Sequence, residues 1–325
     1  METIIWQIEP IDYDLCVEWA ISRRSDHQKR NYLVKMNKVV ISEFAPNIHF
    51  GETHQKVKQQ IESFNQISKK LTDLQTCLDF CEKERSQDNF CNSFLAGIEM
   101  AALNYFEAFD SFFEHSAKKC KSSMSVPIIS MKDFLSYFDQ MNLAEFEVVK
   151  IKSNENLPLK IIEHILDNTN CSISIDYNEA LRNLDVAVEH LSFLKRINRL
   201  KYIEQPFSAH DLGLYIDLKK VTNIPIFIDE TITKQLPTSD LVKICDGINF
   251  KVMKSGGPLN TLAQIKKARE LKLKCMLGCM VESSLSMSNY VKMSYLVDYC
   301  DLDGSLFLNE DPFKMITINN GNVAL

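Results

Sequence analysis

Hydrophobic and polar residues change rhythm twice along this chain. In the first fifty residues the apolar positions fall in short, partly alternating runs at 4–8, 32–36 and 39–42, the period-two signature of half-buried strands. From Thr53 to Lys121 the spacing lengthens. Val57, Ile61, Phe64, Ile67 and Leu71 recur at threes and fours, and 94–103 is an almost continuously apolar segment of helical length. After Ser123 short apolar runs near 126–130, 147–152, 172–176, 202–204, 224–229, 247–251, 275–278 and 300–302 are each followed by an amphipathic stretch. Strands recurring every ~22 to 28 residues are too far apart for hairpins and suit repeated βα units. The pattern predicts an α/β fold, a (β/α)7β-type barrel over 123–325 preceded by a small α+β domain over 1–122. An open doubly wound sheet would carry a Gly-rich phosphate turn after its first strand, and none is present; Gly256-Gly257 is a lone pair.

Composition narrows the function classes. Lys and Arg number 37 against 43 Asp and Glu, a net charge of -6 that leaves no basic excess for nucleic acid or an anionic membrane. No apolar run reaches the ~18 to 20 residues that span a bilayer, and the first residues lack the basic-then-apolar plan of a signal peptide. The expectation is a soluble, cytoplasmic protein whose partners are small molecules, with homo-oligomerisation left open. Ten cysteines sit far apart with no Cys-x-x-Cys spacing, and Cys77/Cys81 and Cys275/Cys279 have no His or second pair beside them, so they read as reduced thiols.

Charged residues cluster where the predicted strands end, the place at which barrel enzymes build their sites. Lys150 and Lys152 close the second barrel strand and share one face, with Ile151 on the other. Asp176 ends the third, Glu204 the fourth, Asp229 and Glu230 the fifth and Lys251 the sixth, and Asp301 and Asp303 flank the eighth. Carboxylates from three successive strands make an all-oxygen set suited to Mg²⁺. Lysines on strands two and six fall on opposite sides of that set, so two bases could face one carbon; a lysine serves as a base when a neighbouring cation and partial desolvation lower its pKa. A single acidic residue at a strand end is usually a helix cap or a turn residue. Their coincidence in register on consecutive strands is what argues for a site. Glu99, inside an apolar helix, reads as a paired structural carboxylate.

These segments together resemble the enolase superfamily in its muconate-lactonizing subgroup. The motifs are Lys150-Ile151-Lys152, Asp176-Tyr177-Asn178, Glu204-Gln205-Pro206, Asp229-Glu230-Thr231, Asn249-Phe250-Lys251 with Lys254-Ser255-Gly256-Gly257, and Gly278-Cys279-Met280-Val281-Glu282-Ser283. Glu43-Phe44-Ala45-Pro46 and Phe50-Gly51-Glu52-Thr53 look like the capping-domain signature of that family. Within the subgroup, 278–283 with Asp301-Leu302-Asp303-Gly304 resembles the dipeptide epimerases. The resemblance implies Asp176, Glu204 and Asp229 as Mg²⁺ ligands, and Lys152 and Lys251 as the acid/base pair working through an enediolate. It makes Lys150 a supporting cation facing the substrate, Asp301 and Asp303 the anchors of the substrate's α-ammonium group, and Glu282 a further substrate contact. A specificity loop near 18–30 is implied as well, with Arg24 placed against the side-chain carboxylate of an L-Ala-D/L-Glu substrate, and cell-wall peptide salvage as the setting. Departures are Tyr177 in place of a small residue, Thr231 in place of Ser, and an early C-terminus after Asn319-Asn320-Gly321. Two other readings stand beside this one: an o-succinylbenzoate synthase, whose substrate has no ammonium group for Asp301 and Asp303, and a catalytically silent barrel acting as a binding protein.

Overall fold

The computed structural model describes residues 4–113 and 116–325, and the side chain of Arg24 lies outside that description. The chain opens with an antiparallel sheet of β1 (Trp6–Ile21), β2 (Arg24–Met36) and β3 (Val39–Phe44). Helices α1 (His54–Ile67), α2 (Leu74–Gln87), α3 (Asn92–Tyr105) and the single turn α4 (Phe109–Phe112) follow. Thr53 caps α1 and Asp73 with Thr76 forms a capping box on α2, so the polar residues before each apolar stripe satisfy the first free N–H groups. The apolar α3 is buried on nearly every face. Gly97 lets it approach β3, since a Cβ there would stand 2.6 Å from the Phe44 ring.

The segment 18–30, expected as a specificity loop, is instead the outer half of a long β1–β2 hairpin turning at Ser22 and Arg23. Its strands escaped notice because they are held by polar cross-strand pairs with no apolar alternation: Arg30 with Asp12 at 2.7 Å and Gln28 with Asp14 at 2.7 Å. A register shift between the pairs Asp14–Gln28 and Trp19–Asp26 places extra residues on β1 and bends the arm. The arm crosses the mouth of the barrel and is fastened there by Asn309 N–H to the Asp14 carbonyl, Ile128 N–H to the Ala20 carbonyl, and Trp19 packed on Phe307 with ring centroids 4.1 Å apart.

After β4 (Lys119–Lys121) the barrel runs through β5 (Met124–Val126), α5 (Met131–Gln140), β6 (Val148–Lys152), α6 (Leu159–Asn168), β7 (Ser172–Asp176), α7 (Leu184–Leu194), β8 (Leu200–Glu204), α8 (Leu212–Val221) and β9 (Ile226–Ile228). It continues through β10 (Gly247–Lys251), the single turn α9 (Val252–Ser255), α10 (Pro258–Glu270), β11 (Lys274–Gly278), α11 (Ser284–Met293) and β12 (Tyr299–Asp301). β5 to β12 pair in chain order as eight parallel strands, the expected (β/α)7β-type architecture. Ser122 bridges Cys300 in parallel, drawing the first and last strands together at the seam. β5 ends ahead of the expected 126–130 because Pro127 has no N–H to give, and β9 begins only after Pro225. A short 3-10 turn, Ser239–Lys243, replaces a full helix between β9 and β10. The end of the chain turns at Gly321 into a hairpin of β13 (Thr317–Asn319) and β14 (Asn322–Ala324), and β14 pairs with β4.

Side chains alternate along each barrel strand, and the alternation sorts the molecule. Ile151, Ile175, Ile203, Ile228 and Ile248 belong to the buried layer shared with the surrounding helices. Inside the barrel, Tyr202, Phe227 and Met276 fill the lower level with Tyr299 against them. Two residues further along the same strands stand Glu204, Asp229, Gly278 and Asp301. All ten cysteines are free thiols, and no helix among the described residues is long and apolar enough to cross a membrane.

Candidate active site

Register builds the site. Lys152 lies beside Asp176 and Asp176 beside Glu204, while Lys251 lies beside Gly278 and Gly278 beside Asp301, so the charged ends of β6, β7, β8, β10 and β12 share one level. Asp229 stands one residue past β9. The backbone then turns sharply into left-handed conformations at Asn178 (φ 43°), Glu179 (φ 67°) and Gln205 (φ 39°). Non-glycine residues hold such angles where surrounding bonds compel them. At Gln205 its own side chain supplies them, accepting from Asp229 N–H at 2.7 Å and donating to the Tyr215 hydroxyl at 2.7 Å and to Thr231 Oγ1 at 2.8 Å; Asn178 N–H bonds Asp176 at 2.9 Å and Glu179 N–H the Gln205 carbonyl at 2.8 Å. Tyr177, the bulkier residue of the third-strand motif, is buried and its hydroxyl meets His190 Nδ1 at 3.1 Å.

The carboxylates and lysines are interleaved. Lys152 Nζ donates to Asp176 Oδ2 at 2.5 Å. Lys150 touches Asp301 and lies 3.4 Å from Glu204 and 3.9 Å from Asp176; burial opposes its charge, and these three carboxylates outweigh burial and hold its pKa well above the usual lysine value. Lys251 reaches Asp229 Oδ2 at 2.8 Å, and Lys254 reaches Oδ1 at 2.6 Å together with the Asn249 carbonyl at 2.9 Å. Against burial, the two lysines hold Asp229 far below the ordinary carboxylate range. Burial, with the Lys251 charge beside it, lowers Lys254 in spite of Asp229. Lys254 and the Asn249 amide, which donates to Glu204 Oε1 at 2.7 Å, are site residues that the sequence reading quoted in motifs without giving them a role.

As the side chains lie, no three His, Cys, Asp or Glu residues among those described converge as a ready metal-ligating group. The chemistry of the donor set nonetheless fits a hard divalent cation. Asp176, Glu204 and Asp229 offer only oxygen, and Glu230 Oε2, Asn178 Oδ1 and Asn249 Oδ1 are buried beside them without a hydrogen-bond partner. Glu204 is pushed up to about 7 by burial, with Asp176 and Asp229 adding to the effect against Lys150. Excess negative charge at this point favours a bound cation.

Above this level lies an open cleft, lined by Lys152, Asp229, Lys251, Asp301 and Asp303 from the barrel and by Trp19, Ile21 and Arg23 from the arm. Lys152 Nζ stands 5.9 Å from the Trp19 ring centroid. Asp301 accepts from Ser123 Oγ at 2.6 Å, and Asp303 accepts from Ser125 N–H at 2.7 Å while its other oxygen faces Cys279 Sγ at 4.0 Å. Burial drives the Cys279 thiol well up, which disfavours its thiolate. The arm arginine described in the cleft is Arg23, whereas the sequence reading chose Arg24, whose side chain lies outside the described residues. Arg23 bonds Glu179 at 2.6 Å, Glu230 at 2.7 Å and the Asn178 carbonyl at 2.9 Å, tying the hairpin tip to the ends of β7 and β9. Glu282, expected at the substrate, does not line the cleft. Its oxygens accept from Met280 N–H at 2.8 Å and the Tyr290 hydroxyl at 2.7 Å, and burial raises its pKa to about 7. Glu99, as read from the sequence, is paired, with Arg85, and also accepts from Leu259 N–H at 2.7 Å.

A model of the family described as enolase C-terminal domain-like matches residues 136–324. Among curated proteins, the chain is 29% identical over 180 residues to an L-Ala-D/L-Glu epimerase of Bacteroides thetaiotaomicron, covering 55% of this chain and 47% of that protein. It is 38% identical over 122 residues to a hydrophobic dipeptide epimerase of Roseobacter litoralis, covering 38% and 36%. The chain thus spans about half or less of the length of these curated relatives. Among solved structures, a dipeptide epimerase from Methylococcus capsulatus complexed with Mg and L-Arg-D-Lys superimposes with a TM-score of 0.87 over 100% of this chain and 97% of that one, at 18% identity, a likeness of fold.

Proposed function

Because the chain belongs to the enolase C-terminal domain-like family, we propose that it catalyses Mg²⁺-dependent epimerisation at the C-terminal residue of a dipeptide by proton transfer between two lysines. The observation that carries this is the position of Lys152 and Lys251 in one cleft: they come from the second and sixth of eight barrel strands, four apart around the ring. A carbon held between them is reached from both faces.

Asp176, Glu204 and Asp229 would hold the cation, with Lys150 and Lys254 relieving the charge of the same carboxylates from below. When bound, Mg²⁺ stabilises the negative charge that develops on the substrate's carboxylate as its α-proton leaves. The protein's own groups move that proton. Starting from one epimer, one lysine as the free amine takes it, and the opposite lysine as the ammonium returns a proton to the other face; positioned acid–base transfer of this kind contributes roughly 10² to 10⁴ in rate. Asp303 and Asp301, which both line the cleft, receive the substrate's α-ammonium group. Trp19 and Phe307 close the mouth against water.

The two carboxylates favour a dipeptide over the substrate of an o-succinylbenzoate synthase, which has no ammonium group for them to receive. L-Ala-D/L-Glu is the first substrate to try. Hydrophobic dipeptides are the second, because Arg23 is already neutralised by Glu179 and Glu230 and the remaining wall includes Ile21, Phe50 and Val281. The test is incubation of the protein with Mg²⁺ and a panel of L-Ala-L-Xaa dipeptides, read by chiral chromatography. Appearance of the L,D epimer, abolished by a chelator and restored by Mg²⁺, is expected; a panel without any epimer would overturn the reading.

A further inference from the structure

One buried carboxylate, Glu43, belongs to none of this machinery. It lies on β3, where Ser42, Glu43 and Phe44 are all buried, and it is fully out of solvent. Its Oε1 accepts from the Asn31 amide at 2.6 Å, and its Oε2 accepts from both the N–H of Ser283, at 3.0 Å, and the Ser283 hydroxyl. The same Asn31 amide donates to the Val281 carbonyl at 3.0 Å. Two neighbouring strands of the N-terminal sheet therefore grip a single barrel segment, 281–283, at two points. That segment precedes α11, and Cys279 and Met280, which connect it to β11, form one wall of the cleft with Val281. Glu282 holds it from the opposite side through Met280 N–H and the Tyr290 hydroxyl.

A carboxylate in a dry interface is costly unless its oxygens are satisfied, and apolar residues of similar size would join two surfaces at least as well. What a carboxylate adds is direction. Its acceptor sites fix where Ser283 and Asn31 sit, and through them the backbone of 279–283. Resting on the reading of this cleft as a substrate site, we infer that Glu43 is a positioning residue through which the N-terminal sheet sets the 279–283 wall and thereby the fit of the substrate.

The experiment compares Glu43→Gln and Ser283→Ala with the parent in the full-length protein. Hydrogen exchange is followed at 279–283 without substrate, and KM and kcat are followed across the dipeptide panel. In Glu43→Gln the amide nitrogen cannot accept from Ser283 or Asn31, so at least one grip is lost. The expected result is exchange at 279–283 faster by about tenfold with β5 to β10 unchanged, and KM raised by about tenfold with kcat within about threefold. The order of preference among dipeptides shifts with it. Ser283→Ala, which removes only the buried hydroxyl that donates to Glu43 and keeps the Ser283 N–H bond, moves the same readouts in the same direction by less, and carries the test if the first variant does not fold. Unchanged exchange at 279–283 in the folded variants, or loss of protection spread evenly over the sheet and α1 to α3, would overturn the inference. A parent protein that turns over no dipeptide would instead refute the substrate reading, with the exchange comparison still deciding the role of Glu43 in holding the segment.

Discussion

Asp303 shows how burial tunes a single group at the mouth of the barrel. Burial, then the nearby Asp301 charge, pushes its carboxyl up to about 6 in spite of Lys150 and the Ser125 N–H. A carboxylate can receive an ammonium group only when ionised, so the proposed substrate anchor is charged above about pH 6 and neutral below it. KM for a dipeptide should then rise as pH falls through about 6, approaching tenfold per unit well below it. In Asp303→Asn this limb should vanish and KM should be high at every pH. A variant whose pH profile retains the limb would assign the ionisation elsewhere. What the sequence made legible at this scale is position: Lys150, Lys152, Asp176, Glu204, Asp229 and Lys251 come together at the strand ends because period-two alternation and strand ends are visible in the sequence. Lys254 was not legible, since a lysine three residues after a strand reads as an exposed helix start, whereas the short α9 tucks it under Asp229.

At the scale of elements, the β1–β2 arm is the piece the sequence concealed. Paired polar residues on both faces of its outer half give no alternation to read, so a hairpin looked like a loop, and Arg23, which faces the barrel, went without a role. Arg23 is the tie between the tip of this arm and the ends of β7 and β9. Removing it leaves the buried Glu230 without that cation and loosens the tip of the arm, which Ser22 still ties to the Asn178 carbonyl at 2.9 Å. For Arg23→Gln we expect faster hydrogen exchange over residues 18–26 and KM raised by about tenfold, with kcat affected less. An unchanged KM with a loosened arm would show that the hairpin does not shape the substrate site. The barrel strands themselves were legible because each is a short apolar run with a polar stop. Their exact ends were shifted by Pro127 and Pro225, which end or delay pairing for a reason that apolar patterning does not carry.

For the whole molecule, the order of eight parallel strands follows from the repeat of strand and amphipathic helix, and the family is established by the match over 136–324. What no local pattern could supply is the way the N-terminal sheet meets the barrel. Glu43 with Ser283, Arg85 with Gly256 and Arg23 with Glu230 join residues more than a hundred positions apart, and no motif states which of these residues meets which. The net charge of -6 is equally uninformative as a sum, because the carboxylates that matter are a few at strand ends, each already leaning on a lysine.

The central claim is that Lys152 and Lys251 exchange one α-proton from opposite faces with Mg²⁺ present. It is tested most directly by NMR of a dipeptide substrate in D₂O with Mg²⁺, using the parent, Lys152→Ala and Lys251→Ala. The account predicts solvent deuterium at the C-terminal α-carbon of both epimers with the parent. Neither variant should interconvert the epimers, and each should retain exchange into one epimer only, opposite for the two variants. Absence of deuterium from every dipeptide with the parent, or loss of exchange into the same epimer in both variants, would contradict it.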